Sequence, residues 1–252
     1  MAYDTSPHMS NPSTRGPRAW LSWSSGKDSA WALHMLRTSG DVQVVGLLTT
    51  LNREAGRVAM HAVREELLDA QAAAAGLPLI KIFLPHPCSN AAYEDAMREA
   101  IARARADGIT HMAFGDLFLE EVRRYRETML TGTGIQPIFP LWGQPTGQLA
   151  DRMIAAGLRA YLTCVDPKQL SPAFAGRTFD ARLLEDLPGS VDPCGERGEF
   201  HTFAHGGPMF EGPIPIVPGD VITRDGFVFA DFRLTQRSTN SPPGLSRRKT
   251  AP

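Results

Sequence analysis

Ser24-Ser25-Gly26-Lys27-Asp28-Ser29 puts three hydroxyls, a glycine, a cation and a carboxylate into six consecutive residues. An apolar run precedes the stretch and a helical pattern follows it. At a helix start the unpaired N–H groups and the positive dipole end favour an anion. Gly26 lets the backbone come close to a ligand. Ser24, Ser25 and Ser29 offer hydroxyl donors, and Lys27 offers a mobile cation. Asp28 fits an anion site only as a helix cap or as a Mg²⁺ ligand beside the phosphates. The bland alternative is a plain strand–turn–helix capped by aspartate. A Walker A loop fails twice, because Leu21 stands where its first glycine belongs and Asp28 stands where Ser or Thr follows the lysine. A G-x-G-x-x-G loop fails as well, since Gly26 is alone.

Two other stretches gather polar chemistry. Gly115-Asp116 is followed by Leu117-Phe118-Leu119-Glu120-Glu121-Val122-Arg123-Arg124-Tyr125-Arg126-Glu127, in which Arg123 and Glu127 share a helical face. Taken alone, that is a charged, solvated helix. Asp116, at a strand end, would face a bound nucleotide, where it would hold Mg²⁺ or orient a substrate. Further on, Asp192-Pro193-Cys194-Gly195-Glu196-Arg197-Gly198-Glu199-Phe200-His201-Thr202 brings carboxylates, a thiol and an imidazole together, with glycines for tight turns. Such a set can bind an ammonium, hold a metal or serve as general base. Zinc is not expected, because Cys194 and His201 lack partner ligands at the usual spacing. A nucleophilic Cys194 has no supporting neighbour beyond His201. The bland reading is a charged surface loop.

The elements that must position these residues follow from periodicity. Strands are predicted over 19–24, 42–49, 79–84 and 111–115, and helices over 27–38, 58–75 and 89–106. The alternation gives an α/β fold with a parallel sheet, a Rossmann-like nucleotide-binding domain. Ligands of such sheets bind at the carboxyl ends of the strands. That rule points to 24–29, to the loop starting at Thr49 and to the loop starting at Gly115. From about Ile135 prolines and glycines become frequent. A helix over 146–156, a strand over 159–165 and a loop-rich remainder with short strands make a smaller α+β domain. The expected organisation is a disordered tail over 1–17, a nucleotide domain over 18–137, a closing domain over 138–236 and a disordered basic tail over 237–252.

SSGKDS resembles the S-G-G-K-D-S loop of the PP-loop ATP pyrophosphatases, with Ser25 in place of the first glycine. That family splits ATP between the α- and β-phosphates, usually to adenylate a carboxylate or carbonyl oxygen. With the GD loop, Arg123, Glu127, the turn Pro140-Leu141-Trp142 and Cys-Gly-Glu-Arg-Gly-Glu-Phe-His-Thr, the chain resembles the diphthine–ammonia ligase (diphthamide synthase) branch from about Ala19 to Phe232. The last motif of that branch reads approximately C-G-E-G-G-E-Y-E-T. Cys194, Glu196 and Glu199 match it; Arg197 replaces a small residue and His201 a glutamate. The resemblance is to bacterial members, whose hosts lack the modified histidine of the translation factor. It implies an ATP site at Ser24, Ser25, Gly26, Lys27, Asp28 and Ser29, joined by Thr49 and Gly115. Asp28 is the candidate Mg²⁺ ligand. The catalytic set would be Lys27, Asp116, Glu196, Glu199 and His201, and Arg123, Glu127 and Cys194 would bind substrate. ATP and Mg²⁺ are the implied cofactors, with a carboxylate acceptor and ammonia or an amine as further substrates.

Composition narrows the alternatives. A formal net charge of -1 gives no global basic field, so nucleic acid is not expected as a partner. No apolar run approaches the length of a membrane span, and the N-terminus has no secretory h-region. Three widely spaced cysteines argue against a disulfide framework and fit a reducing cytoplasm. A homodimer is compatible with all of this. Two other functions compete: a tRNA-modifying PP-loop enzyme, for which Cys164 and Cys194 are the candidate thiolation pair, and a non-catalytic nucleotide-binding module.

Overall fold

The structure is a computed structural model and describes residues 16–52, 57–58, 63–85 and 87–235. The tails expected over 1–17 and 237–252 fall almost wholly outside the described residues. The first half builds β1 (Arg18–Ser22), α1 (Lys27–Ser39), β2 (Gln43–Asn52), β3 (Arg57–Val58), α2 (Glu65–Ala74) and β4 (Leu79–Leu84). It continues with α3 (Asn90–Ala106), β5 (His111–Ala113), α4 (Glu120–Leu130) and β6 (Gln136–Ile138). The strands β4, β2, β1, β5 and β6 lie side by side, each pair parallel. The order reverses between β1 and β5. At that switch point loops leave in opposite directions and open a crevice. The loops that open it are 23–26 and 114–119.

Local sequence explains most element ends. Gly40 adopts the left-handed region at φ 70° and donates to Leu36 O, closing α1. The Ser89 hydroxyl accepts from the Ala92 N–H and caps α3. One expectation holds only in part: of the helix expected over 58–75, α2 covers Glu65–Ala74. Arg57 and Val58 instead pair antiparallel with Asn52 and Leu51. β1 pairs with β2 only as far as Leu48, so the strand end beyond it has a free edge that β3 takes. α2 begins only at Glu65, after an extended Arg64. Residues 59–62 lie outside the described residues.

The second half adds α5 (Thr146–Ala155), β7 (Arg159–Val165), a 3₁₀ turn at Pro172–Phe174, α6 (Ala181–Asp186), β8 (Phe200–Gly206), β9 (Ile216–Arg224) and β10 (Phe227–Leu234). The last four strands form a separate antiparallel sheet in the order β8-β7-β10-β9. Residues 166–199 are mostly loop, as expected, and the strands that follow are longer than the short ones expected. A two-residue turn joins β9 to β10, with Asp225 at φ 52° and Gly226 at φ 83°. Two positive φ values in a row define a type I′ hairpin, whose twist suits the strands it joins. Phe203 and Phe232 of this sheet belong to the same apolar cluster as Leu21, Leu33 and Leu67 of the first half. Burying each such side chain stabilises by roughly 1.5–3 kcal/mol, so the two sheets fold onto one another as one core.

Candidate functional site

The loop over 24–29 is built under strain and clamped from behind. Ser25 sits at φ 73°, a region where a side chain costs about 1–2 kcal/mol. Its carbonyl accepts from Gln71 Nε2 at 2.9 Å and from the Ala204 N–H at 3.0 Å. The same Gln71 amide donates to Ala204 O at 2.6 Å, and its oxygen accepts from Trp23 Nε1 at 2.9 Å. Fully buried, Gln71 thus ties the loop to β8 of the second sheet. The Lys27 N–H donates to Thr202 Oγ1 at 3.0 Å, which fixes the first turn of α1 against the same strand.

Lys27 is not the mobile cation that its position in the loop suggests. It is 1% exposed. Its ammonium donates to Asp28 Oδ2 at 2.8 Å and to the carbonyl of Cys194. The rings of Phe179 and Phe200 lie 5.4 and 5.5 Å from it. Burial alone would lower its pKa. Burial is the largest single influence, but the charges of Asp28, Cys194 and Glu196 and the hydrogen bond to Asp28 together outweigh it and hold the ammonium above its usual range. The same burial pushes the Asp28 carboxyl up, against the pull of Lys27. Asp28 does not cap α1: Gly26 is the N-cap and no side chain caps it.

The loop over 192–202 folds around its own acids. Asp192 Oδ2 accepts from the N–H groups of Cys194 and Glu196, and Asp192 Oδ1 accepts from the Thr146 hydroxyl at 2.6 Å. Glu199, 2% exposed, accepts from the Asp192 N–H with one oxygen and from the Arg197 N–H with the other. Gly195 has φ 70°, and a Cβ there would meet Phe200 O at 2.8 Å. The turn returns Glu196 toward the loop over 24–29. One oxygen of Glu196 accepts from the Leu117 N–H at 2.8 Å. Burial pushes this carboxyl up to about 7. Burial and the nearby Lys27 push His201 down to about 4, so its imidazole is neutral near pH 7.

These pieces line one cleft of about 240 Å³. Ser24, Lys27, Asp28, Ser29, Gly115, Asp116, Cys194, Glu196 and His201 all border it. Gly115 packs tightly there: a Cβ would lie 3.1 Å from Asp28 C and 3.1 Å from Ser29 N. Other expected residues lie elsewhere. Ser25 and Gly26 contribute backbone behind the cleft. Thr49 is buried in β2 and does not border it. Arg123 and Glu127 pair with each other at 2.7 Å on α4, and Arg123 covers the rings of Phe139 and Trp142. Glu199 holds the loop together instead of facing the cleft. Cys88, Cys164 and Cys194 are all free thiols, and burial pushes both Cys164 and Cys194 up to about 12. At both, burial disfavours the thiolate.

The Diphthamide synthase N-terminal domain model matches residues 18–137, and the Diphthamide synthase C-terminal domain model matches residues 145–229. The chain belongs to the diphthamide synthase family. The two family domains meet at the cleft, the first bringing the loop over 24–29 and the second the loop around Glu196. A diphthine–ammonia ligase of Bos taurus is 30% identical over 118 residues, 44% of this chain and 44% of the relative. That alignment spans less than half of the relative's own length.

Two residues of this diphthamide synthase-family site escape sequence reasoning. Arg126 borders the cleft and pairs with Asp116 at 3.6 Å. Its signal was its place three residues after Arg123, one helical turn further along. Gln71 carried no signal, because a glutamine in an amphipathic helix reads as solvated. Among the described residues, no three or more His, Cys, Asp or Glu side chains gather to hold a metal ion. Nor is any described helix long and apolar enough to cross a membrane.

Proposed function

We propose that the chain is an ATP-dependent ligase of the diphthine–ammonia ligase type. It adenylates a carboxylate with release of pyrophosphate and passes the acyl group to ammonia or an amine. One observation carries this reading: a carboxyl group poised near neutrality, Glu196, shares a cleft with a phosphate loop at the start of a helix. A phosphate-binding helix start suits nucleotide cleavage, and a base tuned to pH 7 suits removal of a proton from an attacking amine.

The charges of the cleft bear on the metal. Lys27 and Arg126 face three acids, Asp28, Asp116 and Glu196. A polyphosphate entering such a site needs cations of its own. Asp28 and Asp116, two carboxylates bordering the cleft, would hold Mg²⁺ beside the phosphates. Bound ATP would supply the adenylyl group, and Mg²⁺ would neutralise the departing pyrophosphate.

The chain's own residues then divide the work. Ser24, Ser29 and the first turn of α1 bind phosphate. Lys27 fixes Asp28 and the 194–199 loop in register with it. Glu196 takes the proton from the nucleophilic nitrogen. His201, neutral and buried beside the cleft, faces the acceptor as a hydrogen-bonding group. The nucleotide-binding part is assigned to 18–137 and the closing part to 138–236. The test is the product pair: ATP with a candidate carboxylate and ammonia should yield AMP and pyrophosphate. ADP and phosphate would contradict the proposal.

A further inference from the structure

The Arg126 guanidinium lies 5.1 Å from the Phe114 ring centroid, with Nε 3.6 Å from Asp116 Oδ2. Both Nε and Oδ2 are buried, and neither has a hydrogen-bond partner. A buried charged donor without an acceptor is costly unless a ligand supplies one. Lys27, the other cation of the cleft, already donates to Asp28 and to Cys194 O. The contact of Gly115 with the backbone of Asp28 and Ser29 puts the Asp116 wall directly beside the first turn of α1. An anion seated on that turn therefore meets Arg126 across the cleft.

We infer that Arg126, and not the loop lysine, is the side-chain cation that binds the phosphate oxygens of the nucleotide. The guanidinium swings from its loose pairing with Asp116 to a two-pronged contact with phosphate, for which its planar fork is suited. The Phe114 ring supports it during that movement. The inference rests on the ligase reading and adds a phosphate-binding residue that the loop motif does not contain.

The experiment measures equilibrium binding of inorganic pyrophosphate, ATP with Mg²⁺, and adenosine to the full chain, as wild type, Arg126→Met and Arg126→Lys. Thermal unfolding of each variant confirms the fold, and Arg126→Lys carries the comparison if Arg126→Met does not fold. Arg126→Met should weaken pyrophosphate and ATP about ten- to a hundredfold and leave adenosine unchanged. Arg126→Lys should show a smaller loss in the same direction. Unchanged pyrophosphate affinity in both variants overturns the inference. An equal loss for adenosine overturns it too, by showing a general disturbance of the cleft. A wild-type protein that binds neither ATP nor pyrophosphate contradicts the ligase reading itself.

Discussion

The ammonium of Lys27 donates to the main-chain carbonyl of Cys194, which lies 167 residues further along the chain. A residue of the phosphate loop is thereby locked to the loop that carries Glu196. The Thr202 hydroxyl on the Lys27 N–H and the Ala204 N–H on Ser25 O add two further ties, both from β8 of the second sheet. The second sheet thus positions the phosphate loop as well as covering it. Under the proposed function, donors preorganised in this way need no rearrangement when charge develops in the cleft.

Lys27→Met should therefore act on stability before it acts on chemistry. It leaves the half-buried Asp28 without its cation and strips a donor from Cys194 O. Removing one partner of a fully buried pair costs about 3–5 kcal/mol; the Asp28 side chain keeps 25% exposure, so roughly 2–3 kcal/mol is expected here. Denaturant unfolding at pH 7 measures it. The loss should shrink at low pH, where Asp28 takes up a proton.

Glu196 gives the activity a pH dependence. Its carboxyl is held at about 7, against a usual 4.5. If it acts as base, turnover at saturating substrate should rise through pH 7 as it ionises, and Glu196→Gln should remove that limb. The effect on stability has the opposite sense. Between 4.5 and about 7 the folded form keeps a proton that the unfolded form has lost. Folding stability contributed by this group therefore falls as pH rises through that window, and Glu196→Gln should abolish this slope in unfolding curves taken across it.

Glu199 should behave differently from Glu196, although the two are three residues apart. Both of its oxygens accept main-chain N–H groups inside the loop. Glu199→Ala would leave two buried donors unpaired, at about 1–3 kcal/mol each. The melting temperature should drop by several degrees. A fully stable Glu199→Ala protein that loses only activity would return this residue to the chemistry.

Ser25→Gly should be tolerated and should stabilise the fold by roughly 0.5–1 kcal/mol. It relieves a left-handed residue at φ 73° and removes a buried hydroxyl without a partner, less the entropy cost of glycine in the unfolded chain. Ser25→Val should destabilise it. Both are read by thermal unfolding, and the glycine variant should bind ATP as the wild type does.

The sequence made some of this legible, for physical reasons. The parallel sheet and the strand-to-helix turn over Ser24–Ser29 were readable because strand runs, helix periodicity and turn composition are local signals. The β9–β10 hairpin had a local signal as well, Asp225-Gly226, which is the usual pair for a type I′ turn; the surrounding prolines and glycines masked it. Val58 was misassigned because pairing with the free end of β2 decides its conformation, and pairing is not local. The roles of Glu196 and Glu199 could not be separated, since the same side chain becomes a base or a brace according to which backbone groups it meets. Lys27 shows the same limit: its partners Cys194 and Phe200 stand far along the chain.

The central claim is that the cleft adenylates a carboxylate. ATP–pyrophosphate exchange, run with candidate carboxylates and without ammonia, tests it most directly. Labelled pyrophosphate should enter ATP only when a carboxylate substrate is present, and Asp28→Ala should lower the exchange rate sharply. A protein that consumes ATP with the same carboxylate, yet forms ADP and shows no exchange, would contradict the account.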